Sequence, residues 1–416
     1  MDGYRFAMTS KINQAVIFCG GFGKRIQKYT KGRPKPLYKV NNKLFLEYLL
    51  FDIARFGIKE IFLLCHYKTS LFRKEFKNYK INNCKIRIIH EKKPSGSAGS
   101  LLNIKSKLNE KFFIFNGDTY FDFNYLDLKD QLNKNVYATL STIHNPKFKK
   151  GNIKFINNNF IKFGNNKGKI VNSGVAILNK KIFNFISLFK KNEFISLENH
   201  IYPILSKEKK INGKKYNIKT NKFIDIGTPG DLKKAKSFIQ KILIKKTIFF
   251  DRDGIINKDI GYAHKPRQII WGKNLFKVIK YFNDTGYYII ILTNQSGVGR
   301  GYYKYQDVNK LHNWMNEKFI ENGAHIDDFF FSPYFKYSKS KKFRSKKFLK
   351  MRKPNTGMFL NAKKKWNIDI KNSYMIGDSD VDKIFAKNVG LKFILSKYGQ
   401  DLLHIVKKIR KNSRVI

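Results

Sequence analysis

Two doubly wound α/β domains in series are what the sequence predicts, and three observations predict them. Short apolar runs alternate with amphipathic stretches from Ala15 onward, the pattern of repeated βαβ units around a largely parallel sheet. The alternation breaks at a basic junction, Lys245-Lys246, and starts again at Thr247. Clusters of glycine, asparagine and aspartate follow directly after the apolar runs, and in open α/β sheets functional groups collect beyond the carboxyl ends of the strands. A length of 416 residues agrees, since one hydrophobic core rarely serves more than about 250–300 residues. We place the first domain at residues 12–242 and the second at 246–410.

In the first domain, residues 15–19 read as a buried strand, 44–56 as a helix and 61–65 as the next strand. Residues 112–115 form a strand that ends at Asn116-Gly117-Asp118, and a lysine-rich amphipathic helix over 231–241 closes the unit. In the second domain, residues 247–250, 288–292, 374–376 and 393–395 read as strands separated by helical stretches. Leu311, Trp314, Met315 and Phe319 recur at helical spacing and mark the packed face of one of those helices. There is no internal repeat, and no hexapeptide array after residue 240.

Lys and Arg number 84 against 30 Asp and Glu, a net charge of +54. Clustered cations would point to nucleic acid. Here the lysines are spread along the chain together with Asn, Ile, Phe and Tyr, the residues that an AT-rich genome encodes preferentially, so no specific nucleic-acid partner is expected. The field still attracts nucleotides and sugar phosphates. The densest block, Lys336 to Lys353, is where local anion binding carries separate weight. No run of about 18 apolar residues occurs, and Asp2, Arg5 and Lys11 interrupt the start of the chain where a signal peptide needs an apolar core. A cytoplasmic protein with no membrane partner is expected. Cys19, Cys65 and Cys84 show no CxxC spacing, which fits a reducing compartment, and Cys19 reads as a small buried residue.

Gly20-Gly21-Phe22-Gly23-Lys24-Arg25 follows the first strand, and Pro34-Lys35-Pro36 comes shortly after. A glycine turn after a strand lets backbone N–H groups approach phosphates, and fixed cations balance a triphosphate. With a later Gly-Asp and a final acidic residue in the same order, residues 12–240 resemble the sugar-1-phosphate nucleotidyltransferases, which implies a Rossmann-like, GT-A-like domain. By that resemblance Gly20, Gly21, Gly23 and Lys24 form the triphosphate loop, and Arg25 stabilises the pyrophosphate leaving group. Lys35 serves the α-phosphate. Gly96 and Gly99, within Pro94-Ser95-Gly96-Ser97-Ala98-Gly99, belong to a second loop against base and ribose. Asp118 and Asp225 hold Mg²⁺, with Asp118 also at the nucleotide, while Asn172, Gly174 and Glu198 contact the sugar. The family commonly has Thr where Lys24 stands, and its Glu-Lys pair before the Asn-x-Gly segment is not visible. Lys162 and Lys167 both remain open as the cation that replaces it.

Past the junction, Asp251-Arg252-Asp253-Gly254 puts two carboxylates on one strand-end loop, where one can attack phosphorus and the other can exchange a proton. Thr293-Asn294-Gln295-Ser296-Gly297, Arg352-Lys353-Pro354 and Gly377-Asp378-Ser379-Asp380-Val381-Asp382 follow in order. Residues 246–400 thereby resemble the haloacid dehalogenase-like (HAD) phosphatases. With Gly261-Tyr262 and Arg300-Gly301-Tyr302 they resemble more narrowly the D-glycero-D-manno-heptose 1,7-bisphosphate phosphatases and their histidinol-phosphatase relatives. The resemblance makes Asp251 the nucleophile and Asp253 the general acid/base. Thr293 and Lys353 hold the phosphoryl group, and Asn294 and Arg352 contact substrate. Asp251, Asp253 and Asp378 form the Mg²⁺ site, Asp382 supports it from behind, and Asp380 is as much a solvated loop residue. The relatives carry a zinc bound by CxH and CxC pairs. This half has no cysteine, and the matching places read Ser332-Pro333-Tyr334 and Leu349-Lys350-Met351, so no structural zinc is expected.

The fusion implies two successive steps of nucleotide-activated heptose synthesis: removal of the C7 phosphate of a heptose 1,7-bisphosphate, then transfer of a nucleotidyl group to heptose 1-phosphate. The resemblance favours GTP as donor and GDP-heptose as product. The alternative keeps both folds and changes the sugar: a nucleotidyltransferase for another sugar 1-phosphate fused to a histidinol-phosphatase-like phosphomonoesterase. Base, anomer and oligomeric state are not legible.

Overall fold

The computed structural model describes residues 12–413 except 82–83, 145–150, 158, 167, 191–192 and 219–220; of Lys24 only the backbone is described, and Lys167 falls outside. The chain forms two compact units, residues 1–240 and 241–416. No helix among the described residues is long and apolar enough to cross a membrane.

The first unit is organised by the strand Gln14–Phe18, whose first four residues are fully enclosed. It runs parallel to Glu60–Cys65 on one side and to Lys111–Asn116 on the other. Lys85–His90 lies parallel outside Glu60–Cys65, and its alternating exposure marks a sheet edge with one solvated face. Phe112 and Phe113 point to opposite faces and both are fully buried, so the sheet is covered on both sides. Each such ring contributes roughly 1.5–3 kcal/mol of burial. One cover is the helix Phe45–Arg55, which buries Phe45, Leu46, Leu49, Leu50 and Ile53 on one stripe.

Beyond Lys111–Asn116 the sheet departs from the largely parallel arrangement expected. Ile170–Asn179 pairs antiparallel with Lys111–Asn116 and with Ala138–His144, and Gly151–Phe155 pairs antiparallel with Ile161–Asn166. Ala138–His144 is buried at every position but its last and Ile170–Asn179 over its last seven residues, so neither strand shows the alternation of a half-solvated one. A separate two-stranded ribbon pairs Thr119–Phe121 with Phe223–Asp225, setting Asp225 opposite Thr119, while Ile226 N–H donates to the Asp118 carbonyl at 3.0 Å. Two residues more than a hundred positions apart in sequence thus meet at one sheet end.

The second unit is a five-stranded parallel sheet in the order Asp328–Ser332, Tyr288–Asn294, Thr247–Phe250, Tyr374–Gly377, Lys392–Leu395. Thr247–Phe250 is buried at every position, as a central strand must be, and Asp251 leaves its carboxyl end between Thr293 and Asp378 on its two neighbours. The edge strand Asp328–Ser332 was not anticipated. The helix Tyr305–Glu321 buries Leu311, Met315 and Phe319 as its spacing predicted, whereas Trp314 is half-buried and stacks on Trp271 with centroids 5.7 Å apart.

The loop after Asp328–Ser332 is ordered by rings and hydrogen bonds. Phe343 packs on a cluster of Val298, Tyr303, Val308 and Phe331, and lies 5.9 Å from the buried Phe348. Ser332 Oγ donates to the Phe348 carbonyl at 2.8 Å, and Phe335 N–H to the Phe343 carbonyl at 3.2 Å.

Two candidate active sites

In the first unit three adjoining cavities, about 280, 220 and 210 Å³, all touch Phe18 and form a cleft across the carboxyl ends of the parallel strands. The middle one is lined by Gly20, Gly21, Gly23, Lys35 and Asp118. Gly23 holds φ +62°, and a methyl group there would come within 3.1 Å of the Lys35 side chain, so the turn and Lys35 are fitted to each other. Lys35 Nζ lies 2.8 Å from Asp118 Oδ2.

Asp225 lies opposite Thr119 on the ribbon, next to the Asp118 that lines this cavity. Loss of solvent around its carboxyl group, and next the Asp118 charge, push its pKa up to about 6, with Lys35 and Arg25 pulling the other way. A methyl group on Gly227 would lie 3.1 Å from Asp225 and 3.4 Å from the Arg25 guanidinium. Two oxygen-donor carboxylates held together against their own repulsion fit a hard divalent cation; Asp118 and Asp225 would hold it.

The third cavity gathers the sugar-directed residues. Asn172 Nδ2 donates to Glu198 Oε1 at 2.7 Å, and Gly174 N–H donates to Asn172 Oδ1 at 3.1 Å. Gly174 adopts φ +85°, and a methyl group there would strike Asn116 Nδ2 at 2.5 Å. Lys162 is not among the residues lining this cavity. In the 280 Å³ cavity Gly96 is present but Gly99 is not. Gly99 sits behind it against the Ser95 side chain and the Glu193 carbonyl, so it serves packing of the helix Gly96–Leu102. Phe22, His66 and Phe194, to which sequence reasoning assigned no role, also line this cavity, as does Glu91, the first residue of the glycine loop read as lying against base and ribose.

In the second unit Asp251 is anchored by Lys353. Lys353 Nζ lies 2.9 Å from Asp251 Oδ2 and 2.6 Å from Asp382 Oδ1, while Ser379 Oγ donates to Asp382 Oδ2 at 2.7 Å. Burial raises the Asp251 pKa to about 7, with Asp382 and Asp253 adding to the rise and Lys353 opposing it. Burial disfavours the Lys353 charge, but Asp251 and Asp382 outweigh it and the ammonium is held above its usual basicity.

Asp251, Asp378 and Asp382 each bring one oxygen within 4.8 Å of the others. At Gly254, φ +87°, a methyl group would overlap Asp378 Oδ2 at 1.9 Å, so only glycine leaves this group of carboxylates intact. An all-oxygen set of this kind suits a hard divalent ion. Asp251 and Asp378 would hold it, with Asp382, which is fully buried and tied to Lys353 and Ser379, behind them.

The Asp253 carboxylate turns away from that group. It accepts from Arg252 Nη2 at 2.9 Å, from Asn257 Nδ2 at 2.9 Å and from Gln295 Nε2 at 2.8 Å. Gln295 in turn donates to Thr293 Oγ1 and accepts from Tyr303 OH, each at 2.9 Å. Arg252 is fully buried and also donates to the Ala263 carbonyl at 2.8 Å. Asn294 commits its amide to the Lys353 main chain in both directions, at 3.0 and 3.2 Å. It therefore positions Lys353, where contact with substrate was expected. Arg252, Asn257, Gln295 and Tyr303 were not singled out; Arg252 and Gln295 lay inside quoted motifs, but the bonds that all four make are recognisable only once the loop is folded.

Residues 14–242 match the family described as nucleotidyl transferase, and residues 350–415 match the HAD-hydrolase-like family. A probable D-glycero-D-manno-heptose-1,7-bisphosphate 7-phosphatase of Thermoplasma volcanium is 34% identical over 154 residues, 37% of this chain and 99% of that protein. The D-glycero-beta-D-manno-heptose-1,7-bisphosphate 7-phosphatase of Rhodopseudomonas palustris is 37% identical over 161 residues, 39% of this chain and 88% of that protein. The crystal structure of HddC from Yersinia pseudotuberculosis complexed with GMP-PN is similar at 27% identity and a TM-score of 0.45, covering 54% of this chain and 99% of that one. With a family match over more than half its length and phosphatase relatives covered almost whole, the chain belongs to the nucleotidyl transferase family in its first unit and to the heptose-bisphosphate phosphatase branch of the HAD-like enzymes in its second, a bifunctional transferase and phosphomonoesterase.

Proposed function

We propose that the second unit removes the C7 phosphate of D-glycero-D-manno-heptose 1,7-bisphosphate and that the first joins the resulting heptose 1-phosphate to GMP from GTP, releasing pyrophosphate. Asp251 held by Lys353 beside Asp378 is the observation that carries the first step. An Asp251 oxygen attacks phosphorus, the bond from phosphorus to the C7 oxygen breaks, and the leaving oxygen takes a proton from Asp253. Asp253 then removes a proton from water, which attacks the aspartyl phosphate, releases inorganic phosphate and restores Asp251. Gln295 and Arg252 fix the direction from which Asp253 delivers its proton. Mg²⁺ held by Asp251 and Asp378 would neutralise charge on the transferring group.

In the first unit the anomeric phosphate oxygen attacks the α-phosphorus of the nucleotide in line, and the bond to the β-phosphate oxygen breaks. Arg25 and Lys35 balance charge on the pyrophosphate and the α-phosphate, and Asn172 with Glu198 orients the sugar hydroxyls. Mg²⁺ between Asp118 and Asp225 would supply the remaining positive charge. We assign these activities to residues 12–242 and 246–410 of a cytoplasmic enzyme.

Guanine is favoured by Glu91. This carboxylate is 5% exposed at the wall of the 280 Å³ cavity and accepts only long bonds, from Ser95 at 3.3 Å and Asn103 at 3.5 Å. His66 Nδ1 must donate to the Glu91 carbonyl at 2.8 Å, which leaves Nε2 of the neutral ring as a second acceptor. Guanine presents two adjacent donors, N1–H and the N2 amino group. Adenine N1 or cytosine N3 would set a lone pair against the carboxylate. Glu91→Gln is expected to lower kcat/KM for GTP by about 10- to 100-fold, the loss of a charge-assisted hydrogen bond, and to narrow its advantage over the other nucleotides; an unchanged ratio in pyrophosphate assays would remove Glu91 from base choice.

The deciding experiment supplies the heptose bisphosphate and Mg²⁺ with each of GTP, ATP, CTP and UTP, and reads phosphate, pyrophosphate and nucleotide-sugar by mass. GDP-heptose forming with GTP is the expected result, and phosphate release without any nucleotide-heptose would overturn the assignment of the first unit. The raised Asp251 pKa adds a pH prediction. Metal binding favours the carboxylate, so Mg²⁺ uptake at the phosphatase site releases about half a proton near pH 7, more as the pH falls and progressively fewer above it. Titration calorimetry of the full chain in buffers of different ionisation enthalpy measures this, with Asp251→Asn identifying the phosphatase contribution.

A further inference from the structure

Behind Asp253 lies an imidazole to which the hydrolytic steps give no task. His312 sits on the helix Tyr305–Glu321 and is 3% exposed, among the positions that bury Val308, Leu311 and Met315. An apolar side chain would suit that stripe, yet His312 Nε2 lies 3.4 Å from Nη1 of the fully buried Arg252. A guanidinium offers donors only, so Nε2 carries the lone pair and the ring is neutral. Burial, and next the Arg252 charge, act in the same sense and hold the imidazole well below its usual basicity. The ring stacks on Phe329 with centroids 4.6 Å apart and meets Phe331 edge-on at 5.7 Å. Both belong to one face of the edge strand Asp328–Ser332, so the sheet sets the direction in which the acceptor points.

Arg252 is thereby held on three sides. Nη1 meets His312, Nη2 donates to the Ala263 carbonyl, and Nε and Nη2 together grip Asp253, at 3.2 Å on Oδ1 and 2.9 Å on Oδ2. A neutral acceptor suits the Nη1 side. A carboxylate there would compete with Asp253 for the guanidinium charge, and an apolar side chain would strand a buried N–H. Within the phosphatase reading above, we propose that His312 is a positioning residue that fixes the plane of Arg252 and so aims the Asp253 carboxyl group at the leaving oxygen. Without it the guanidinium turns toward another acceptor, and the carboxylate bonded to it turns as well. The consequence depends on the leaving group. A sugar alkoxide departs only with a proton, whereas p-nitrophenolate departs without one, so a misdirected Asp253 slows the first and spares the second.

The test measures kcat/KM of the full-length wild type, His312→Met and His312→Gln on D-glycero-D-manno-heptose 1,7-bisphosphate and on p-nitrophenyl phosphate. Met and Gln are unbranched and of similar length, and only Gln offers an oxygen to Arg252. His312→Met is expected to lower kcat/KM for the heptose bisphosphate by about 10- to 100-fold, a share of what general acid catalysis supplies. For p-nitrophenyl phosphate it should stay within about threefold of the wild type, and His312→Gln should recover most of the loss. An equal fall on both substrates, no fall on either, or a Gln variant no better than Met would overturn the proposal. If His312→Met does not fold, His312→Asn, whose amide reaches no further than the Nδ1 side of the imidazole, is read by the same criterion. A wild type that cleaves p-nitrophenyl phosphate but not the heptose bisphosphate fails the heptose reading by itself. Benzyl phosphate, whose alkoxide also needs a proton, then takes its place; a selective loss in the variant upholds the role of His312 and an equal response overturns it.

Discussion

Asp251→Asn is expected to lower phosphate release from the heptose bisphosphate by at least about 10³-fold, since a covalent nucleophile has no substitute in its own step. The asparagine keeps the shape of the loop and can still bond to Lys353, so the loss reads chemistry and not collapse. Lys353 retains its charged contact with Asp382 at 2.6 Å, which keeps the ammonium paired. Nucleotidyl transfer from supplied heptose 1-phosphate should be unchanged, because every group assigned to it lies between Gly20 and Asp225. A phosphate assay run beside a pyrophosphate assay on the same preparation decides the matter. Loss of both activities would mean that the two reactions depend on each other.

Asp225→Ala is expected to lower nucleotidyl transfer by about 10³-fold, the scale of losing several kcal/mol of metal-borne charge stabilisation. The same substitution should leave the melting temperature of the metal-free protein unchanged or slightly raised. The reason is the sign of the Asp225 shift: its folded-state pKa of about 6 stands above the usual aspartate range, so above that range its ionisation opposes folding. Pyrophosphate release together with thermal melts at pH 8 tests both halves; a fall in melting temperature matching the fall in activity would instead make Asp225 a structural residue.

Much of this was legible because the chemistry sits where the apolar runs end. The strand at 247–250, the aspartates that follow it and the glycine turn after Gln14–Phe18 are local in sequence, and a single window contains both the strand and its cargo. Among the antiparallel strands between Ala138 and Asn179, the two longest escaped because they are buried on both faces yet carry Thr, Ser and Asn, so they show neither alternation nor a continuous apolar run. Asp225 could be named by resemblance, but its meeting with Asp118 depends on a ribbon closed across a long separation. The network of Arg252, Asn257, Gln295 and Tyr303 around Asp253 escaped for a different reason: its members bond through side chains whose directions are set only by the folded loop. Asn294 shows the converse, a motif residue whose amide the fold uses on a neighbouring main chain.

The loop closed by Phe343 and Phe348 leaves the phosphatase half with an unusual set of sensitivities. Its anchor holds no thiol, since all three cysteines lie before residue 85, and disulfide exchange therefore finds nothing there to attack. Its grip follows the temperature law of apolar contact, loosening in the cold. Because Phe335 on the same loop lies under Arg300, chilling should loosen that surface before it disturbs the aspartates that the parallel strands carry.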